Sequence, residues 1–235
     1  MQYMGGKGRI AGDIAAVMRE RIDWTRKTDY LEPFVGGGWV LPHMVSGFSS
    51  VRIGDAHRDL IMLWSALREG WVPPDHVSKD EYDALRIAQP SPLRAFVGFG
   101  LSFGGKFFGG YASNARGDDF CGAAKRGLTK KTEAVKQADE IFQLPFWMWS
   151  VGPETVVYCD PPYANTTGYS QSGDWDPDWF WFIVQSWANQ GAQVFVSEYS
   201  APLGTPVLWE REVRSSLKKD DNKTTAVERL YEVSR

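Results

Sequence analysis

Apolar residues in the first third of the chain recur at spacings that alternate between those of helices and strands. Between residues 8 and 22 they return every three or four positions, which predicts an amphipathic helix with charged residues on its other face. We predict a short strand at residues 30–34, a helix from about Trp39, a second strand at 51–53 and a helix around 60–67. Strand, helix, strand, helix in this order is typical of an α/β sheet.

The alternation stops near residue 73 and resumes at residue 155. Between them lie helical signals at residues 81–87 and 93–101, a Gly- and Phe-rich stretch at 102–111 and a polar segment at 112–136. The apolar run at 155–159 is typical of a buried parallel strand, and a Trp-rich helix at 178–189 and strands at 193–196, 207–214 and 226–233 follow. We therefore expect one sheet domain built from residues 1–72 and 145–235, carrying a small, mostly helical insertion at 73–144.

Composition and charge exclude several classes of protein but do not indicate a particular activity. The 235 residues, 43% hydrophobic and 23% charged, have the balance of an ordinary globular chain. The net charge of -3 argues, taken alone, against a protein that coats nucleic acid through bulk positive charge. Two cysteines cannot form a disulfide framework, and no apolar run reaches the roughly 18 residues that cross a bilayer. We expect a cytoplasmic protein.

A glycine-rich turn follows the first predicted strand. Three glycines occupy positions 36–38, and Asp55 ends the next predicted strand 19 residues beyond Gly36. Glycines let the backbone approach a ligand closely, and an acid at this distance accepts hydrogen bonds from ribose hydroxyls. The pattern indicates a nucleotide site, with a purely structural turn as the alternative. It is neither a complete G-x-G-x-x-G nor a phosphate-binding P-loop.

The most specific motif is Asp160-Pro161-Pro162-Tyr163, directly after the strand at 155–159. Two prolines in series force a stiff turn, so the Asp160 carboxylate and the Pro161 carbonyl can accept two hydrogen bonds from one planar amine. Those bonds free the lone pair of the amine for attack, and Tyr163 offers a flat face to the ring that carries it. A Pro-rich loop with a capping Asp is the structural alternative.

Together with Tyr3-Met4-Gly5-Gly6-Lys7 near the N-terminus, these motifs resemble the Dam-type DNA adenine-N6 methyltransferases. The resemblance implies a Rossmann-like α/β sheet that binds S-adenosylmethionine, with a target-recognition insertion before the catalytic loop. It implies methyl transfer to N6 of an adenine flipped out of duplex DNA, without a metal and with S-adenosylhomocysteine as the product. The cofactor-site residues that it implies are Tyr3, Lys7, Phe34, Gly36, Asp55 and Asp160. The catalytic loop that it implies is Asp160, Pro161, Pro162 and Tyr163.

The predicted insertion is locally basic although the chain as a whole is acidic. Residues 113–136 carry six Lys and Arg against three Asp and Glu, and phosphate contacts need only a local basic surface. Phe107 and Phe108 either insert beside the displaced base or plug the insertion onto the sheet. We expect double-stranded DNA as the partner, contacted by Lys106, Arg116, Lys125, Arg126, Lys130 and Lys131.

Two other functions remain open from the sequence. An Asp-Pro-Pro-Tyr loop serves any planar amine, so an RNA adenine or an N4-cytosine methyltransferase is one alternative, and a catalytically silent DNA-binding module is the other. An insertion before the loop favours DNA adenine, and the intact motif argues against a silent module. The oligomeric state stays open between a monomer and a weak dimer. The family's longer recognition hairpin is not found, so the recognised DNA sequence stays open, and residues 164–175 are predicted to form a lid.

Overall fold

The computed structural model of the protein describes residues 2–163, 175–214 and 225–234. Nearly all of the predicted lid, residues 164–174, lies outside the described residues, as does the segment 215–224. Within the described part, none of the helices combines the length and the apolar character that a membrane span requires.

One mixed sheet of seven strands runs through the molecule. Its strands are β1 (Asp29–Glu32), β2 (Ser50–Gly54), β3 (Glu140–Phe142), β4 (Thr155–Cys159), β5 (Gln193–Glu198), β6 (Val207–Arg214) and β7 (Thr225–Val233). Their order across the sheet is β3-β2-β1-β4-β5-β7-β6. The first five strands pair in parallel, whereas β7 is antiparallel to both β5 and β6. This architecture confirms the predicted α/β class.

The register of the central strands determines where a site can form. β4 lies between β1 and β5 and is buried along its whole length, as its continuous apolar run predicts. Leu31 of β1 pairs with both Arg52 of β2 and Val157 of β4, so these three parallel strands end side by side. Their carboxyl ends lead into the glycine turn, Asp55 and the loop that begins at Asp160. Three motifs that are far apart in the sequence therefore meet at one edge of the sheet.

Helices pack on both faces of this sheet. They are α1 (Ala11–Arg21), α2 (Leu41–Met44), α3 (Arg58–Arg68), α4 (Lys79–Arg86), α5 (Pro92–Gly100), α6 (Phe120–Lys136) and α7 (Pro177–Asn189). Alternate residues of β4 belong to two buried clusters, as expected of a strand covered on both sides. Val156 and Tyr158 pack in the cluster that contains the buried residues of α1, α3, α5 and α6. Val157 and Cys159 pack in the cluster of α7.

The sequence did not predict α6 or β3. The buried residues Cys121, Ala124, Leu128 and Val135 of α6 do recur at helical spacing, but small residues and a lysine in the same row conceal the apolar pattern. β3 has three residues, of which only Ile141 is buried, so its apolar signal is shorter than a strand pattern needs.

The predicted insertion at residues 73–144 is more closely joined to the sheet than we expected. β3 pairs in parallel with β2 and is therefore an edge strand of the main sheet. α5 and α6 pack against α3 and share one buried cluster with the sheet. The predicted insertion thus contains one strand of the sheet, and the division of the chain at residues 73 and 144 stays a prediction.

Candidate active site

A cavity of about 780 Å³ opens at the carboxyl ends of the central strands. It is lined by residues from the N-terminal segment, from the turns after β1 and β2, and from the loop after β4. All six residues of the cofactor site that the resemblance implies face this one space: Tyr3, Lys7, Phe34, Gly36, Asp55 and Asp160. Pro162 of the predicted catalytic loop lines it as well. Its volume is typical of a site for a small molecule or cofactor.

The glycine turn after β1 is held from three sides. Gly36 has a φ of +44°, and a Cβ placed there would lie 2.8 Å from the ring of Tyr3. The Gly36 amide donates to Oδ2 of Asp55 at 3.0 Å, and Nε1 of Trp64 donates to the Gly36 carbonyl at 3.1 Å. Both the positive φ and the close approach of Tyr3 require glycine at this position. The backbone consequently borders the cavity without a side chain in between.

Asp55 joins the end of β2 to the glycine turn. Its Oδ2 accepts the Gly36 amide, and its Oδ1 accepts the His57 amide at 2.8 Å. Burial raises the pKa of Asp55 to about 6, although these backbone hydrogen bonds favour the ionised form. The carboxylate has about four acceptor positions, so it keeps one for a ligand hydroxyl beside these backbone amides. Asp55 is thus a fixed, mostly ionised acceptor at neutral pH.

The Asp160 carboxylate lies beside a buried ammonium group. Nζ of Lys7 is 2.8 Å from Oδ1 of Asp160 and 3.2 Å from Oε1 of Glu228. Burial raises the pKa of Asp160, and the charge of Lys7 opposes that rise. Burial alone would lower the pKa of Lys7, but Asp160 and Glu228 together raise it. Lys7 therefore remains charged and holds a carboxylate at the cavity wall.

Tyr163 is anchored by the same cluster. Its hydroxyl donates to Oε1 of Glu228, Nζ of Lys7 lies 4.5 Å from its ring centroid, and Tyr199 meets it at 4.6 Å with nearly perpendicular rings. Sequence reasoning missed Glu228 of β7 entirely. The available signal was weak: strand periodicity places Glu228 on the same face as the buried Leu230.

Aromatic side chains form another wall of the cavity. Phe34 contacts Phe146 at 5.3 Å and Trp175 at 6.0 Å between ring centroids, and Trp147 and Trp179 also line the space while remaining partly exposed. Four of the 11 Trp of the chain, Trp39, Trp147, Trp175 and Trp179, line this cavity. The wall offers stacking surfaces for a planar ring next to the polar groups of the site.

Phe107 and Phe108 are half-buried and pack against the core. Phe107 contacts His57 at 4.6 Å and Phe99 at 4.6 Å, and Phe108 contacts Tyr82 at 5.1 Å. Of the two alternatives that the sequence left open, this packing favours the aromatic plug.

Most of the basic residues predicted to contact DNA lie at the surface. Lys106, Arg116 and Lys130 are exposed. Arg126 is exposed too and pairs with Asp119 at 3.4 Å, while Lys125 pairs with Asp75 at 2.6 Å. Their role in DNA binding remains a prediction.

Lys131 is an exception, because the structure buries it behind the glycine turn. Its Nζ donates to the carbonyl of Gly37 and lies 3.4 Å from the ring centroid of Trp39. Burial lowers the pKa of Lys131 to about 7, despite the nearby Glu32. We correct its predicted surface position: Lys131 supports the backbone at the cavity and does not present its charge to a DNA phosphate.

We expect Lys131→Met and Lys130→Met to have different effects, although the two lysines are adjacent. Lys131→Met leaves the Gly37 carbonyl without its donor, so affinity for the cofactor should fall about tenfold, the equivalent of one hydrogen bond. Lys130→Met removes an exposed charge and should reduce the salt dependence of DNA binding by about one phosphate contact. Isothermal calorimetry measures the affinity for the cofactor. Titrations with DNA at several salt concentrations measure the salt dependence of DNA binding. Equal changes in the salt dependence would contradict the buried position of Lys131.

Glu32 is a second buried ionisable group at the site. It ends β1, lines the cavity and accepts a hydrogen bond from the Tyr30 hydroxyl at 3.1 Å. Burial raises its pKa from 4.5 to about 8. The folded protein therefore holds a proton on Glu32 at neutral pH that the unfolded chain releases.

This proton makes stability depend on pH in a defined direction. Because the folded-state pKa of Glu32 is raised, its contribution to stability is fully present below about pH 4.5 and is lost as pH rises through about 8. Glu32→Gln keeps the acceptor for Tyr30 without a titrating group. The free energy of unfolding of the wild type should therefore fall relative to that of the variant as pH rises. We expect this difference to change by at least about 2 kcal/mol in favour of the variant between pH 5 and pH 9, measured by urea unfolding. Glu140→Gln, at an exposed position of β3, should show no such gain. Parallel curves for wild type and Glu32→Gln would disprove the assignment.

Comparison with known proteins supports the family resemblance. Residues 3–86 match the family model described as D12 class N6 adenine-specific DNA methyltransferase. This segment contains the N-terminal motif, the glycine turn and Asp55, and the match confirms the resemblance there. A search of curated proteins gave no match. The match to this family model supports a methyltransferase that uses S-adenosylmethionine.

Solved structures of low sequence identity are also similar to the chain. A protein from Haemophilus influenzae assigned as a methylase has 10% identity and a TM-score of 0.39, with 95% of this chain and 89% of that chain covered. A SAM-dependent methyltransferase from Leishmania major has 7% identity and a TM-score of 0.42, with 97% and 74% covered. A protein from Escherichia coli, also assigned as a methyltransferase, has 12% identity and a TM-score of 0.37, with 93% and 85% covered.

Proposed function

We propose, from the family match over residues 3–86 and the site beside it, that the protein is a DNA adenine-N6 methyltransferase. It would transfer the methyl group of S-adenosylmethionine to an adenine flipped out of duplex DNA. The observation that carries this proposal is the position of the Asp160 carboxylate, which borders the same cavity as the glycine turn and Asp55 and is paired with the buried Lys7. One space thus offers a cofactor site and an acceptor for an amine.

The residues around the cavity suit S-adenosylmethionine. Asp55 presents a fixed carboxylate for ribose hydroxyls, and the turn borders the cavity at Gly36, which has no side chain. The aromatic wall around Phe34 suits an adenine ring. The bound cofactor supplies a methyl group on a positively charged sulfur, already activated toward a nucleophile.

Asp160 then acts on the amine of the target base. Its carboxylate and the Pro161 carbonyl accept the two amine hydrogens, which shifts the nitrogen toward tetrahedral geometry and frees its lone pair. The amine nitrogen forms its bond to the methyl carbon as the carbon–sulfur bond breaks, and that electron pair stays on sulfur. Positive charge on the nitrogen is stabilised by Asp160 until the extra proton leaves to water. Correct placement of the two reacting atoms supplies much of the remaining rate.

Tyr163 has a supporting role in this mechanism. Flipping a base out of the duplex costs a few kcal/mol, and stacking on an aromatic ring returns about 1–3 kcal/mol per base. The contacts of Tyr163 with Lys7, Glu228 and Tyr199 fix the orientation of its ring. Tyr163→Ala should therefore weaken engagement of the target while cofactor binding is retained.

One experiment separates this function from its alternatives. The protein is incubated with methyl-labelled S-adenosylmethionine and duplex DNA, RNA or protein, and the products are digested to nucleosides or amino acids for mass spectrometry. We expect N6-methyldeoxyadenosine from DNA, and none from Asp160→Ala. Label in N4-methylcytosine or in RNA alone would overturn the adenine-specific DNA activity, and no transfer to any substrate would favour a silent binding module.

A further inference from the structure

The C-terminal strand β7 contributes a carboxylate to the candidate active site. Glu228 is only 4% exposed, although it is a charged residue on a strand next to the sheet edge. Its Oε1 lies 3.2 Å from Nζ of Lys7 and accepts the hydroxyl of Tyr163. Glu228 therefore joins the N-terminal segment to the predicted catalytic loop through two different partners.

Two carboxylates share one ammonium group in this cluster. Lys7 is paired with Asp160 at 2.8 Å and with Glu228 at 3.2 Å, and its own side chain is 5% exposed. A buried carboxylate is costly unless it is paired and hydrogen-bonded, and Glu228 is both. The fold tolerates a second acid here because Lys7 and Tyr163 stabilise its charge.

We propose that Glu228 is a positioning residue for methyl transfer, which orients Lys7 and Tyr163 and through them controls the charge of Asp160. This inference rests on the proposed function, because Asp160 is assigned there as the acceptor for the target amine. Glu228 itself need not touch the substrate. It pairs with Nζ of Lys7 at 3.2 Å and holds Tyr163 by its hydroxyl.

The sign of the electrostatic effect follows from the charges around Asp160. The negative charge of Glu228 raises the pKa of Asp160, whereas Lys7 and the hydroxyl of Tyr163 lower it. Removing the charge of Glu228 has two effects: a like charge near Asp160 disappears, and Lys7 keeps Asp160 as its one carboxylate partner among the described residues. Both effects favour the ionised form of Asp160. The ionisable groups that interact with Asp160 are Lys7, Glu32, Tyr158, Cys159, Tyr163, Tyr199 and Glu228.

The first test measures the titration of Asp160 directly in the protein without cofactor. Carbon NMR of protein labelled at the aspartate carboxyl groups follows the carboxyl resonance of Asp160 as pH is changed. This resonance is assigned as the one that is missing from the spectrum of Asp160→Asn. In Glu228→Gln we expect the titration midpoint of Asp160 to move to lower pH by more than about half a unit, as expected for removal of a nearby like charge. In Tyr163→Phe, which removes a hydrogen bond to the carboxylates, it should move to higher pH.

Glu212→Gln is the matched control, because Glu212 is an exposed acid on the neighbouring strand β6. Its substitution should leave the Asp160 midpoint unchanged. An unchanged midpoint in folded Glu228→Gln, or an equal movement in Glu212→Gln, would overturn the proposal. If Glu228→Gln does not fold, Tyr163→Phe decides, since a midpoint that stays fixed or falls in that variant contradicts the cluster.

The second test follows methyl transfer as a function of pH. The acid limb of the kcat/KM profile should move to lower pH in Glu228→Gln together with the NMR midpoint, and kcat should fall about tenfold as the loop loses its anchor. A merely structural role would lower the rate without moving the limb. A wild type that transfers no methyl group would disprove the proposed function but leave the NMR result intact. An active wild type with an unmoved midpoint would disprove the role of Glu228 alone.

Discussion

Asp160→Ala lowers methyl transfer to adenine in duplex DNA by at least about a thousandfold, the largest loss that we expect from any single substitution. The carboxylate is the acceptor that prepares the amine and the anion that stabilises its developing positive charge. Alanine removes both effects and also leaves the cation of Lys7 with Glu228 as its remaining ion-pair partner among the described residues. The measurement is single-turnover transfer of labelled methyl at saturating cofactor and DNA.

Two further variants separate loss of chemistry from loss of structure. Asp160→Asn keeps the shape and one acceptor oxygen but not the charge, so it should retain more activity than alanine and far less than the wild type. Asp178→Ala removes an exposed acid on α7 and should leave transfer within about twofold of wild type. The thermal midpoint of each protein shows whether it is folded. A folded Asp160→Ala with more than a tenth of wild-type activity would contradict the mechanism.

The location of the site could be predicted from the sequence because its main parts are local. A glycine turn, an acid after the next strand and an Asp-Pro-Pro-Tyr loop each follow a recognisable strand, and parallel strands place such ends at one edge of a sheet. The structure does bring Gly36, Asp55 and Asp160 to one cavity. Local pattern and a general topological rule were sufficient for this result.

The support behind those parts could not be predicted in the same way. Glu228 meets Tyr163 across 65 positions, through a strand that inserts antiparallel between β5 and β6. Lys131 reaches Gly37 across 94 positions from a helix that the sequence did not predict. Neither contact leaves a local pattern. Lysine is also seldom buried, so an exposed position was the reasonable expectation for Lys131.

The edge strand β3, which lies within the predicted insertion, shows the same limitation. Apolar periodicity divided the chain at residue 144 because β3 is too short to produce a strand signal of its own. Its place in the sheet comes from pairing with β2, a contact that only the fold provides. Whether a strongly periodic segment forms a helix or a strand could therefore be predicted from the sequence. A short edge strand such as β3 could not, because it forms only through its pairing in the folded sheet.

Asp55→Ala is expected to raise the dissociation constant of S-adenosylmethionine by about a hundredfold. Hydrogen bonds to a charged acceptor contribute about 1.5–3 kcal/mol each, and the carboxylate is placed to accept from ribose hydroxyls. The substitution also removes the acceptor for the Gly36 and His57 amides, which loosens the glycine turn. Isothermal calorimetry, or quenching of the tryptophans at the cavity, measures the change. An affinity within threefold of wild type would show that Asp55 does not bind the ribose.

The pH dependence of binding separates the charge of Asp55 from its structural role. Its pKa of about 6 implies that the carboxyl takes up a proton as pH falls through 6, which replaces one acceptor oxygen by a donor. Wild-type affinity for the cofactor should therefore decline below pH 6. Asp55→Asn has no proton to gain, so its affinity should be weaker at pH 7.5 but nearly constant between pH 5 and 7.5. The asparagine side chain can still accept a hydrogen bond from one backbone amide. The glycine turn should therefore stay closer to its native form in Asp55→Asn than in Asp55→Ala. If the affinity of Asp55→Asn for the cofactor still declines below pH 6, another ionisable group at the cavity controls binding in this range. Glu32 and Asp160 also line the cavity and would be substituted next.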